Sequence, residues 1–144
     1  MNHRRRGLSA IAASWIVAVC LGAAGCGQAE PETPAITSVS PQELLQLMEA
    51  HADIIVLDVR SRDEHAAGHI AGAVNIPHTE IADRLGELAA YREKHVVVCC
   101  WAGGRADIAK QVLRDAGFKS LLDLRGHMAE WQRLRYPVEA SANE

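Results

Sequence analysis

Residues 95–116 read HVVVCCWAGGRADIAKQVLRDA, and the fold turns on how they are parsed. Val96, Val97 and Val98 form a continuous β-branched run that ends in Cys99 and Cys100. Such a run is the pattern of a strand buried on both faces of a sheet. Trp101 to Arg105 is short and glycine-rich, so the chain turns there. Apolar residues then recur at Ile108, Ala109, Val112, Leu113 and Ala116, which predicts a helix, with Gly117 as its stop. A cysteine therefore sits where a buried strand ends and a tight loop leads into a helix. The first amides of a helix lack internal partners and carry the positive end of its dipole. A cysteine facing them is favoured as thiolate, the form that attacks. The glycines let successive N–H groups converge on an anion. The same residues also fit two buried cysteines acting as small hydrophobes. This stretch alone leaves both readings open.

Upstream, Ile54-Ile55-Val56-Leu57 is a second apolar strand, ending at Asp58. Ser61-Arg62-Asp63-Glu64 has the capping-box pattern and starts a short helix closed by Gly68. Ser40-Pro41-Gln42-Glu43 repeats that pattern, with proline at the first helical position, and Leu44, Leu45, Leu47 and Met48 form the core face. Ala73 to Pro77 reads as a third short strand, and Ile81, Leu85 and Leu88 as another helix. Downstream, Leu121 to Leu124 is a strand, and Met128, Trp131 and Leu134 mark a last helix ended by Pro137. Alternating strands and helices imply an α/β fold with a mainly parallel central sheet. Ligands of such sheets bind beyond the carboxyl ends of the strands. Asp58 and Cys100 fall at that edge.

The chain of 144 residues implies one domain. Arg4, Arg5 and Arg6 precede an apolar run from Leu8 to about Ala24, the pattern of a secretory signal over residues 1–25. Ala23-Ala24-Gly25-Cys26 resembles a bacterial lipobox, in which the cysteine becomes the lipidated N-terminus. A plainly cleaved signal and an uncleaved anchor are the other two readings. All three put the domain outside the cytoplasm, on the periplasmic side of a membrane, and lipid on Cys26 is the expectation taken forward. Residues 26–37 form a polar, proline-containing tether, residues 38–138 the domain, and residues 139–144 a loose polar tail. With the three arginines removed, the remaining Lys and Arg face 18 Asp and Glu, a net charge of about −6. An acidic domain without a basic run argues against nucleic acid. Cys20, Cys26, Cys99 and Cys100 form neither a CxxC motif nor a disulfide framework.

The segment from Asp58 to Pro77, DVRSRDEHAAGHIAGAVNIP, resembles the rhodanese family, whose pattern is aspartate-x-arginine, a glutamate, then GHIxGAxNIP. The family's CxxGxR motif is matched by Cys100, Gly103 and Arg105, and its Gly-Phe and glycine–tryptophan signature by Gly117-Phe118, Gly126 and Trp131. The resemblance runs from about Ser38 to Pro137. It implies a parallel sheet with helices on both faces and a sulfurtransferase without a cofactor. By position, Cys100 is then the nucleophile that takes the outer sulfur of a small anionic donor such as thiosulfate. A thiol or cyanide acceptor removes it from the resulting persulfide. The amides of Trp101, Ala102, Gly103, Gly104, Arg105 and Ala106 hold the donor, and no protein partner is named. The resemblance leaves two alternatives from other classes. One is a non-catalytic binding or sulfur-delivery module. The other is an envelope thiol redox protein using Cys99 with Cys100.

Three positions depart from the family pattern. Cys99 stands where an aromatic is frequent, and strand alternation turns it away from Cys100 into the core. Trp101 replaces a polar or basic loop residue and is expected to wall the pocket. His127 replaces the second glycine before the last helix. Arg105 is the only cation within the loop. Four residues separate Cys100 from Arg105, one fewer than the loop of cysteine phosphatases and arsenate reductases requires. His65 and His69 have the i, i+4 spacing of a zinc pair, but Gly68 interrupts the helix and no third ligand follows. They are read as a surface and a turn histidine, and no metal is assigned. Arg60 and Glu64 are spaced for a local ion pair, and Asp58 is expected to order the neighbouring loops.

Overall fold

Strands β2 (Ile54–Asp58) and β4 (His95–Cys99) lie side by side and parallel, with Asp58 level with Cys99. Around them a computed structural model describes residues 37–141. The leader, Cys26 and nearly all of the tether lie outside the described residues. The remaining elements are β1 (Thr37–Val39), α1 (Pro41–Glu49), α2 (Arg62–Ala67), β3 (Val74–Asn75), α3 (Gly104–Asp115), β5 (Ser120–Leu124) and α4 (His127–Arg133). The five strands form one sheet in the order β1-β5-β4-β2-β3, and every pairing is parallel. The chain leaves β2 toward β3 on one side and leaves β4 toward β5 on the other. The carboxyl ends of β2 and β4 thus flank a topological switch point, where the outgoing loops part and leave a crevice.

Alternation along each strand divides the core in two. Val96, Val98 and Cys100 join Ile55, Leu57, Ala106, Ala109 and Leu113 on the α3 face. Val97 and Cys99 join Val56, Leu44, Met128 and Trp131 on the face covered by α1 and α4. Continuously apolar strands follow, because both faces are buried.

Both capping boxes form. Glu43 N–H donates to Ser40 Oγ while Ser40 N–H donates to Glu43 Oε2, and Ser61 and Glu64 do the same. Helix α3 ends as expected: Gly117, at φ +86°, donates to Arg114 O, and Phe118 N–H reaches Leu113 O.

Three segments differ from the sequence reading. Thr37, expected to close the tether, opens β1, which pairs with Leu122 to Leu124. The segment around Ile81, Leu85 and Leu88 is a run of turns and a 3₁₀ helix, Leu85–Tyr91. Ile81 and Leu88 are buried as predicted, but Gly86 falls mid-segment and weakens any α-helical ladder. Within the stretch expected to be a loose tail, Glu139 exchanges two backbone hydrogen bonds with His69, and Ser141 N–H donates to Ala66 O.

Candidate active site

Cys100 follows the last residue of β4, and its thiol is buried on the α3 side of the sheet. The geometry of its loop is set by the start of α4. Met128 N–H donates to Cys100 O at 3.0 Å, and Ala129 N–H to Trp101 O at 3.1 Å. In a trans peptide the N–H points opposite to its C=O. Drawing these two carbonyls toward α4 therefore turns the amides of Trp101 and Ala102 away from it. Gly103 N–H donates to Cys100 Sγ at 3.0 Å. Gly103 sits at φ +115°, a conformation that disfavours a side chain, and a Cβ there would lie 3.1 Å from His127 Nε2. The amides of Gly104, Arg105 and Ala106 open α3 and have no partner inside the helix. The Gly103 amide thus meets Cys100 Sγ directly, just before the unpaired amides that open α3.

On the β2 side, Asp58 and Arg60 are buried together, with Arg60 Nη2 2.6 Å from Asp58 Oδ2 and 2.8 Å from Gly68 O. Arg60 N–H also donates to Asp58 Oδ1. His65 Nδ1 lies 3.0 Å from Asp58 Oδ2. Asp58 thus fastens the β2 loop to α2. The expected Arg60–Glu64 pair does not form. Glu64 instead holds Arg105 with both oxygens, at 2.5 and 2.8 Å. The Arg105 hydrogen bonds hold the Glu64 carboxyl down at about 2. His65 is also not the surface histidine expected. Its ring stacks on that of His69 at 3.7 Å, and burial pushes its pKa down against the pull of Asp58.

Arg60, Glu64, Ala67, Gly68, Trp101 and Gln132 line a pocket of about 190 Å³ beside the loop. Trp101, which lines this pocket, is 44% exposed. Cys99 is fully buried in the opposite cluster, where burial drives its thiol well above the usual range. Both cysteines are free. Sequence reasoning did not foresee His65, Ala67, Gly68 and Gln132 at this site, nor His127 against Cys100.

The sequence profile of the rhodanese-like domain matches residues 40–134. The chain belongs to the rhodanese-like domain family. Thiosulfate sulfurtransferase GlpE of Pseudomonas fluorescens is 34% identical over 104 residues, covering 72% of this chain and 91% of that protein. An HTH-type transcriptional regulator of Mycobacterium tuberculosis is 38% identical over 107 residues, covering 73% of this chain and 46% of the regulator. The chain spans about half the length of several relatives it matches, the regulator among them. The crystal structure of a rhodanese-related protein from Thermoplasma volcanium superposes with a TM-score of 0.63 at 30% identity, covering 72% of this chain and 97% of that one. In this rhodanese-like domain the motif residues Asp58, Arg60, Cys100, Gly103 and Arg105 are gathered at the ends of β2 and β4.

Proposed function

We propose that this domain is a sulfurtransferase working through a persulfide on Cys100. The Cys100 thiolate attacks the outer sulfur of a sulfane donor such as thiosulfate. The donor's S–S bond breaks, a new S–S bond forms at Cys100, and sulfite leaves with the electron pair. A thiolate or cyanide then attacks that outer sulfur, and the Cys100 thiolate leaves. No net oxidant is needed and no cofactor takes part. The observation that carries this reading is the Gly103 amide on Cys100 Sγ, inside a loop whose carbonyls α4 draws away. The N–H groups so freed stabilise the thiolate, the anionic donor and the persulfide alike.

The test is to reduce the full chain, add thiosulfate and weigh it intact beside Cys100→Ser and Cys99→Ser. The reading predicts a gain of one sulfur atom that needs Cys100 and survives loss of Cys99. No gain while Cys100 still alkylates would leave a binding or delivery module. A loss of two hydrogens would mean a Cys99–Cys100 disulfide and a redox role.

We propose also that the chain is exported and lipid-anchored through Cys26, on the strength of Arg4 to Arg6, the apolar run and the Ala-Ala-Gly-Cys site. Metabolic labelling with a fatty-acid analogue, lost in Cys26→Ser, is the expected result. Equal labelling of both would overturn it.

A further inference from the structure

His127 adopts φ +52°, the left-handed conformation that favours glycine, at the position where the family resemblance expects one. Its ring is buried against the Cys100 loop at two points. Cys100 N–H donates to His127 Nδ1 at 3.4 Å, and His127 Nε2 faces Gly103, whose own amide binds Cys100 Sγ. An acceptor at Nδ1 requires the neutral ring with its proton on Nε2. Nε2 lies 3.7 Å from Asp123 Oδ2, which favours that tautomer. The other charged groups around the ring are Lys110 and Asp107 of α3; Lys110 bridges Asp107 and Asp123. Cys100 meets it from the end of β4 through its backbone N–H.

We propose that His127 is a positioning residue that makes the Cys100 loop sensitive to pH: neutral, it holds the loop in its sulfur-binding form, and protonated, it releases it. The inference rests on Cys100 being the nucleophile. Protonation places an N–H on Nδ1, opposite the N–H of Cys100. Two donors then face each other in a buried space, and the Cys100 amide loses its acceptor. The peptide must turn or move away, and it carries Sγ with it. Burial, seconded by Lys110, pushes the His127 pKa below its ordinary 6.5, against Asp123 and Asp107. The holding state therefore prevails at neutral pH, and release belongs to mildly acidic conditions.

The experiment follows the Cys100 and Gly103 amides of the ¹⁵N-labelled full chain from about pH 8 to about pH 5, beside the His127 ring resonances. The two amides should shift with the midpoint of the ring, below 6.5. Alkylation of Cys100 should change with the same midpoint as the His127 ring. His127→Asn and His127→Gly both tolerate a positive φ. Asparagine offers a side-chain acceptor that does not titrate, so it should keep the Cys100 amide protected from hydrogen exchange and abolish the change at the ring's midpoint. Glycine offers none and should lose the protection. Cys100 and Gly103 amides that ignore the ring's titration would overturn the proposal, as would a glycine variant with the wild-type pH profile. Thiosulfate loading, run in parallel, separates the two readings. Amides that track the ring in a protein that never gains sulfur would sink the sulfurtransferase and leave the clamp. Sulfur gain with motionless amides would do the reverse.

Discussion

Glu64 grips Arg105 through both carboxylate oxygens across 41 residues of sequence. The pair ties the first turn of α2 to the first turn of α3, on either side of the switch-point crevice. It also neutralises the loop's only cation. Arg60, the guanidinium that lines the neighbouring pocket, is likewise committed to Asp58. In the sulfurtransferase reading proposed above, an anionic donor would therefore be held by backbone N–H groups rather than by free positive charge.

Glu64→Gln is the direct test of that balance. Glutamine keeps the capping box of α2 but leaves Arg105 without its counter-charge. Thiosulfate is a dianion, so the freed guanidinium should raise kcat/KM for thiosulfate several-fold, chiefly through KM. The pair is partly exposed, so stability should fall by only about 0.2–1 kcal/mol. A lower kcat/KM with an unchanged melting curve would mean instead that Arg105 works only when Glu64 aims it.

Cys99 and Cys100 are neighbours in sequence but belong to different halves of the core. Cys99→Ser places a hydroxyl among Leu44, Met128 and Trp131, which should cost about 1–3 kcal/mol by urea denaturation. Cys99→Ala should cost less, and both should retain sulfur loading on Cys100. Loss of loading in a folded Cys99→Ala protein would revive a role for the cysteine pair.

The strands were readable because burial on both faces writes itself as an unbroken apolar run, as in Val96 to Val98. The caps at Ser40 and Ser61 were readable because they are local. Partnerships across the crevice were not. Spacing alone set Arg60 against Glu64, yet strand order brings Arg105 to Glu64 and leaves Arg60 to Asp58. Strand β1 was missed because only Val39 of its three residues is buried. His127 carried a signal, since a histidine in a glycine position implies an unusual backbone. What that ring touches depends on the packing of α4 against the β4 loop, which no local pattern encodes.

The buried Asp58–Arg60 pair should be far more costly to split than to keep. Arg60→Met leaves the Asp58 carboxylate with His65 as its one side-chain partner beside the backbone N–H of residue 60, and should destabilise by about 3–5 kcal/mol. Adding Asp58→Asn should recover part of that loss, because the orphaned charge is removed. Additive losses in the double variant would show that the two residues do not act as a unit.

Stability should fall on mild acidification, and its pH window identifies the groups responsible. Burial lowers the pKa of His127 and of His65 below 6.5, so the folded protein holds both neutral where the unfolded chain binds protons. The unfolded state then carries the extra protons, and stability rises with pH through that interval. The contribution is complete above about 6.5 and is lost as pH falls toward the depressed values. Glu64 adds a second decline in the same direction, from 4.5 down toward about 2, damped by its exposure to solvent. Urea midpoints measured across both windows should show two steps. His127→Asn should shrink the upper step and leave the lower one intact. An upper step of undiminished size would mean that His127 titrates alike in the folded and unfolded chain, so that its burial and its bond from Cys100 N–H do not hold the ring neutral.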